Sequence, residues 1–187
     1  EIDFLFNSDN NELVENIDIT VKKNSKGIVI LKYMSKDNLE FYHNGIIKVH
    51  GEANSNITVI IVNLLNQKAN NFVSIENLLE ENSKLMCNMI EFGGKNNIVN
   101  FYSNLLGNNS ENLVNTIYLG KEKQLIDLNY IGELRGEKSN INIEVQGALK
   151  DNSRKNFKGT IDFKKGCKKS KGNENESWID TANHMEK

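Results

Sequence analysis

Cysteine and histidine are the residues with which this chain could hold a metal or run nucleophilic chemistry, and both are scarce. Cys87 and Cys167 lie eighty positions apart, with no CxxC pair and no histidine at ligand spacing. Their number excludes a structural disulfide framework, and each reads as a buried or half-buried free thiol that binds no metal. The imidazoles are His43, His50 and His184. His43 and His50 sit seven apart in FYHNGIIKVH, and an Asn44-Gly45 turn between them would let them face each other across two paired strands. A metal or cluster contact there would need further ligands, and none can be named, so two ordinary histidines are the expected reading. His184 lies in a polar tail and is assigned no role. The acids Glu80-Glu81 and Glu174/Glu176 read as solvated turn acids rather than a general acid–base pair. The GGK at 93–95 lacks the spacing of a phosphate-binding loop. No enzyme emerges.

Charge excludes further classes. The formal net charge is −2 and the pI near 6.0, which gives the chain as a whole no electrostatic reason to bind nucleic acid or an anionic membrane. No apolar run approaches the ~20 residues that span a bilayer. EIDFLFNSDNNELVE at the start carries five acids and no base, the reverse of a signal-peptide leader, so a cytoplasmic protein is expected. One segment is uneven. Residues 150–171 hold nine Lys/Arg against Asp151 and Asp162, a net of +7 (nine minus two). Phe157 and Phe163 fall on the expected core side and leave no aromatics to stack on bases, so a partner-facing or solubilising patch is favoured over nucleic acid.

The elements that carry these residues are short β-rich bursts. They begin at 17, 28 and 46, and from 57 onward recur at 72, 85, 98, 113, 125, 141 and 157, a spacing of 12–16 residues. In INIEV, Ile141, Ile143 and Val145 share one face opposite Asn142 and Glu144; in GTIDF, Ile161 and Phe163 oppose Asp162. Period-two alternation means strands with one buried face. Polar breakers such as EENSK, GNNSEN and KDNSRKN separate them. There are 32 Asn and no Pro, so turn formers are everywhere and Pro punctuation nowhere. Strands with polar turns and no intervening helices suggest a sandwich or a solenoid, and the long turns favour the solenoid. The expected division is an irregular or helical N-terminal segment at 1–16, a β-helix over 17–170 and a polar tail at 171–187.

The stretch ALKDNSRKNFKGTIDFKKGCKKSKGNENE (148–176) resembles the closing β-helix segment of the SufB/SufD family, scaffold subunits of SUF iron–sulfur cluster assembly. Ser153, Phe157, Gly159, Ile161, Gly166, Ser170 and Asn173 carry the likeness, and residues 45–147 share its texture. The resemblance implies a right-handed parallel β-helix and a non-catalytic scaffold. It also implies pairing with a SufB/SufD-type paralogue, or as a homodimer, near the segment holding Ser153, Phe157, Gly159, Ile161, Phe163 and Gly166. A SufC-type ABC ATPase is the further implied partner. The family's Cys-Ser-His-Gly-Ala motif has no counterpart in these 187 residues, and Cys167 stands where the family usually has a small residue, so it inherits no ligand role. An iron–sulfur cluster is then expected only transiently, within a complex. The competing reading is a β-solenoid that acts on carbohydrate or binds another ligand. It would need an acidic cluster across successive rungs, which cannot be assembled from this sequence. FKGTIDF (157–163) is the last strand legible, and so the expected sheet edge.

Overall fold

The structure is a computed structural model describing residues 1–181, and every regular element among them is a β-strand. In chain order they are β1 (Ile2–Phe6), β2 (Glu12–Val21), β3 (Lys26–Ser35), β4 (Tyr42–Gly51), β5 (Asn56–Leu64), β6 (Asn70–Leu79) and β7 (Lys84–Glu91). There follow β8 (Asn96–Leu105), β9 (Glu111–Gly120), β10 (Leu125–Leu134), β11 (Asn140–Leu149), β12 (Arg154–Phe163) and β13 (Lys171–Asp180). Each strand pairs in parallel with the strand two places along. Odd strands form one seven-stranded sheet, β1 to β13, and even strands a six-stranded sheet, β2 to β12. The chain is a β-solenoid of about six turns.

One rung is therefore two bursts, and the half-rung spacing read from the sequence hides a repeat near 29 residues. Successive odd strands begin at 26, 56, 84, 111, 140 and 171. Exact register keeps inward residues stacked: Ile57 over Leu85, Val59 over Cys87, Leu128 between Val99 and Phe157. Leu31, Ile47, Ile57, Leu105, Leu134, Ile141, Ile143 and Val145 are shut off from solvent altogether. Burial on both inner faces supplies the main stabilisation, at roughly 25 cal/mol per Å² of apolar surface.

The turns from even to odd strands repeat an Asn-Ser or Lys-Ser pair. Asn24, Asn54, Asn82 and Asn109 all have φ of 55–59°, a left-handed backbone that Asn tolerates. Their side chains form a ladder: Asn54 Nδ2 donates to Asn24 Oδ1 (3.1 Å), Asn82 to Asn54 (3.0 Å), Asn109 to Asn82 (3.1 Å). The following serines turn inward and close the turn, Ser83 Oγ donating to Glu80 O at 2.9 Å and Ser110 Oγ to Gly107 O at 2.8 Å. Gly136 is needed for close approach, because a Cβ there would lie 2.0 Å from Gly107 O.

The ladder runs past both expected boundaries. Residues 1–16 are not helical or irregular: β1 pairs with β3, with Phe4 stacked on Tyr33 at 4.8 Å, and β2 begins at Glu12. Residues 171–180 are not tail but β13, paired along its whole length with β11. FKGTIDF is thus an edge, of the even sheet, and β13 is the edge of the other. Asn44-Gly45 is no turn either, since both lie within β4, where Gly45 leaves room for the His43 ring and the Glu15 carboxylate. A separation of seven then puts His43 inside and His50 outside.

Candidate functional site at the open end of the solenoid

The six residues singled out in the sequence lie together, on β12 and the turns at its two ends. Ser153 closes the entering turn, its Oγ donating to Lys150 O at 2.7 Å. Phe157 faces inward and meets Tyr130 edge-on, with ring centroids 5.7 Å apart. Gly159 is inward too, directly beneath the Glu174 carboxylate, which a Cβ would strike at 2.1 Å. Ile161 packs against the core and occupies the space over Gly172. Phe163 shares this inward side but is 50 % exposed, because no further rung covers it among the described residues. Gly166, at φ 105°, turns the chain toward β13.

The inward positions of β13 are unlike any earlier rung. Where β11 presents Ile143, Val145 and Gly147, β13 presents Glu174, Glu176 and Trp178. Lys155, from the inner side of β12, forms an ion pair with Glu176 and lies 3.9 Å over the Trp178 ring. Beneath them Tyr118 is buried with an unpartnered hydroxyl, and its ring fills the space left by Gly147. Burial, then the Glu176 charge, pushes the Tyr118 phenol up to about 12. This end combines a polar plug with half-exposed aromatics, and on their outer sides β12 and β13 have no strand neighbour among the described residues. Unpaired strand edges of this kind accept another strand.

A second constellation lies inside the solenoid. His43, wholly buried, places Nδ1 2.6 Å from Asn71 Oδ1 and Nε2 3.2 Å from Glu15 Oε1, which the Tyr33 hydroxyl also reaches. Asn71 Nδ2 donates to Asn97 Oδ1 at 2.7 Å, and Asn97 Nδ2 to Glu91 Oε2 at 2.7 Å; Asn63 Nδ2 donates to the same carboxylate oxygen at 3.0 Å. With its amide donating onward, Asn71 can only accept at Oδ1, so His43 Nδ1 carries a hydrogen. His43 Nε2 thus faces the same Glu15 oxygen that accepts from the Tyr33 hydroxyl. Burial raises the Glu91 carboxyl to about 7, against the lowering effect of its amide donors. Sequence reading missed this cluster, whose members are scattered from 15 to 97; a polar residue at an inward position of an alternating strand is the signal each one leaves.

The remaining chemistry-bearing residues are dispersed. His50 meets Glu80 on the outer surface at 2.9 Å, and Glu80 does sit in a turn, whereas Glu174 and Glu176 face inward on β13. Cys87 is buried, and its thiol is pushed up to about 12 by burial and then by the Glu91 charge, so no thiolate forms near neutral pH. Cys167 lies half-buried in the β12–β13 turn. No three His, Cys, Asp or Glu among the described residues are grouped so as to hold a metal ion. His184 lies outside the described residues. No helix among them is long and apolar enough to cross a membrane.

Compared with known families, residues 4–179 match the model described as SUF system FeS cluster assembly, SufBD core domain. No curated protein matches the chain.

Proposed function

Because the chain belongs to the SufB/SufD core-domain family of the SUF iron–sulfur cluster assembly system, we propose that it serves there as a non-catalytic scaffold subunit. It works by pairing its open C-terminal end with a related β-helix subunit, in a cytoplasmic complex that also engages an ABC-type ATPase. The observation that carries this reading is the end itself: β12 and β13 expose their outer backbone edges, flanked by half-exposed Phe163 and Trp178. A partner strand could satisfy those edges while covering both rings. The cluster is the cargo of such a complex. With Cys87 sealed and protonated, ligands for it come from the partner or from the shared interface.

The experiment is co-purification of this chain with SUF-type β-helix and ATPase subunits, with complex size read by light scattering. A stable complex is expected with the β-helix subunit, and Phe163→Asp together with Trp178→Asp should abolish it. Both side chains are half exposed, so the variant should keep its fold. A chain that ignores both subunits at high micromolar concentration, or a complex indifferent to the double substitution, overturns the reading.

A further inference from the structure

The basic run at 150–171 does not stay together in the fold. Lys155 turns inside to Glu176, and Lys164 is held by Glu133 and Asp162. Lys150 and Arg154 stand where the chain enters β12, while Lys165, Lys168, Lys169 and Lys171 lie beyond its far end. Lys138, from the rung beneath, joins this exit group, its N–H donating to Lys168 O at 2.8 Å. All five of these lysines are exposed, and none has a carboxylate partner among the described residues. Against them stands Glu137, in the same turn as Lys138.

Stability does not call for lysine at this corner. Lys138 and Lys169 continue the left-handed column of Asn24, Asn54, Asn82 and Asn109, with φ of 56° and 60°. Asparagine in that column gains an amide bond to the rung beneath. Lysine forgoes the bond, lacks the short polar side chain that eases a left-handed backbone, and sets like charges on strands' turns about 4.8 Å apart. Edge protection does not explain the group either. Charges that guard a sheet edge lie along its strand, whereas Lys138, Lys165, Lys168 and Lys169 lie in turns. The earlier turns of the same corner carry Glu52, Glu80 and Glu81, so the change of sign is local. A local rule broken with no structural gain marks a place of recognition.

We propose that this corner is a docking site for a short acidic segment of a partner protein, whose Asp and Glu side chains pair with Lys138, Lys165, Lys168, Lys169 and Lys171. Charge complementarity selects an anion, and three observations favour carboxylates over nucleic acid. The group is all lysine, point charges without the planar fork that grips phosphate, and the neighbouring Arg135 is taken up by Glu133. Neither 135–140 nor 164–171 holds an aromatic on which a base could stack. A long polyanion running down the corner would also meet Glu111, Glu81 and Glu52 on the rungs below, which limits the ligand to a short stretch. The site uses no backbone of the β12 or β13 edge, so it stands independently of the pairing assigned to the open end.

The test is fluorescence anisotropy of a labelled octaglutamate peptide titrated with the full chain at about 20 mM salt, where surface charges are little screened. Sub-millimolar binding is expected. Lys138→Asn with Lys169→Asn should weaken it about tenfold, the effect of losing two exposed ion pairs near the upper end of their usual worth. The same pair should raise the denaturant midpoint, because two more asparagines extend the amide ladder. Lys48→Asn with Lys123→Asn removes equal charge elsewhere and should change the affinity less than twofold. A peptide that does not bind overturns the proposal, as does a Lys48/Lys123 pair as damaging as the Lys138/Lys169 pair. A midpoint that falls in the Lys138/Lys169 variant would make these lysines structural and overturn it too. Tighter binding of an eight-nucleotide oligothymidylate than of the peptide would assign the corner to nucleic acid instead.

Discussion

Glu91 is where the solenoid departs furthest from an oily interior, and its energetics can be followed with the amides that hold it. Asn63 and Asn97 both donate to its Oε2, which favours the charged form, yet burial outweighs them and lifts the carboxyl from 4.5 to about 7. A raised acid means that the folded state holds the extra proton between those two values. The contribution is complete below pH ~4.5 and is lost as pH rises to about 7, at a total cost of about 3 kcal/mol. Glu91→Gln keeps an oxygen acceptor for both amides and removes the titration. Urea unfolding at pH 5 and pH 8 should therefore show the variant gaining on the wild type by about 2.5 kcal/mol between the two. A difference that does not change with pH would mean that Glu91 is ionised throughout. None of this was legible from sequence, because Glu15, His43, Asn63, Asn71, Glu91 and Asn97 become neighbours only through parallel register. A register is set by the whole ladder and not by any local pattern.

At the scale of the element, what could be read follows from which strands alternate. INIEV and GTIDF alternate because their inner faces meet other apolar faces, and they were found. β13 escaped because its inner face carries Glu174, Glu176 and a glycine while its outer face carries Asn173 and Asn175, leaving no apolar period. β2 escaped in part because Glu15 takes an inward position and interrupts Leu13, Ile17 and Ile19. The turns are legible as polar breakers, but their repeat is hidden, since it falls at every second breaker. Asn82 tests what that repeat does. It holds φ at 56° and sits mid-ladder, bonded to Asn54 and Asn109. Asn82→Ala keeps a Cβ in the left-handed region without the polar side chain that eases Asn there, at about 1 kcal/mol, and also loses two hydrogen bonds, whereas Asn82→Gly loses the bonds without that strain. Denaturant midpoints should rank wild type, then Gly, then Ala, with Ala about 2 kcal/mol below wild type. Equal losses for Gly and Ala would assign the turn's stability to the ladder and none of it to backbone strain.

For the whole molecule, the consequence of two parallel ladders is that each rung meets only its neighbours, so stability is close to a sum of rung and nearest-neighbour terms. Those terms are unequal along the axis. β4 through β11 present inner faces that are nearly shut off from water, with Ile47, Ile57, Leu79, Leu105, Ile126 and Ile143 fully buried. The ends are thinner. β13 is exposed along almost its whole length, β12 keeps only half-buried inner residues, and β1 and β2 contribute Phe6 and Val21 as their buried apolar side chains. Local opening should therefore begin at the ends and move inward, while the middle rungs exchange only when the molecule unfolds globally. Native-state hydrogen exchange reads this directly. Amides of β6 to β9 should reach the global unfolding free energy, and those of β12 and β13 should exchange through openings several kcal/mol smaller, with β1 and β2 between. Pairing at the open end adds a neighbour to β12 and β13 alone, so adding the β-helix partner should raise protection there first and leave β6 to β9 unchanged. Uniform protection along the axis would mean that the solenoid unfolds as one cooperative block, and the nearest-neighbour description would then fail for this chain.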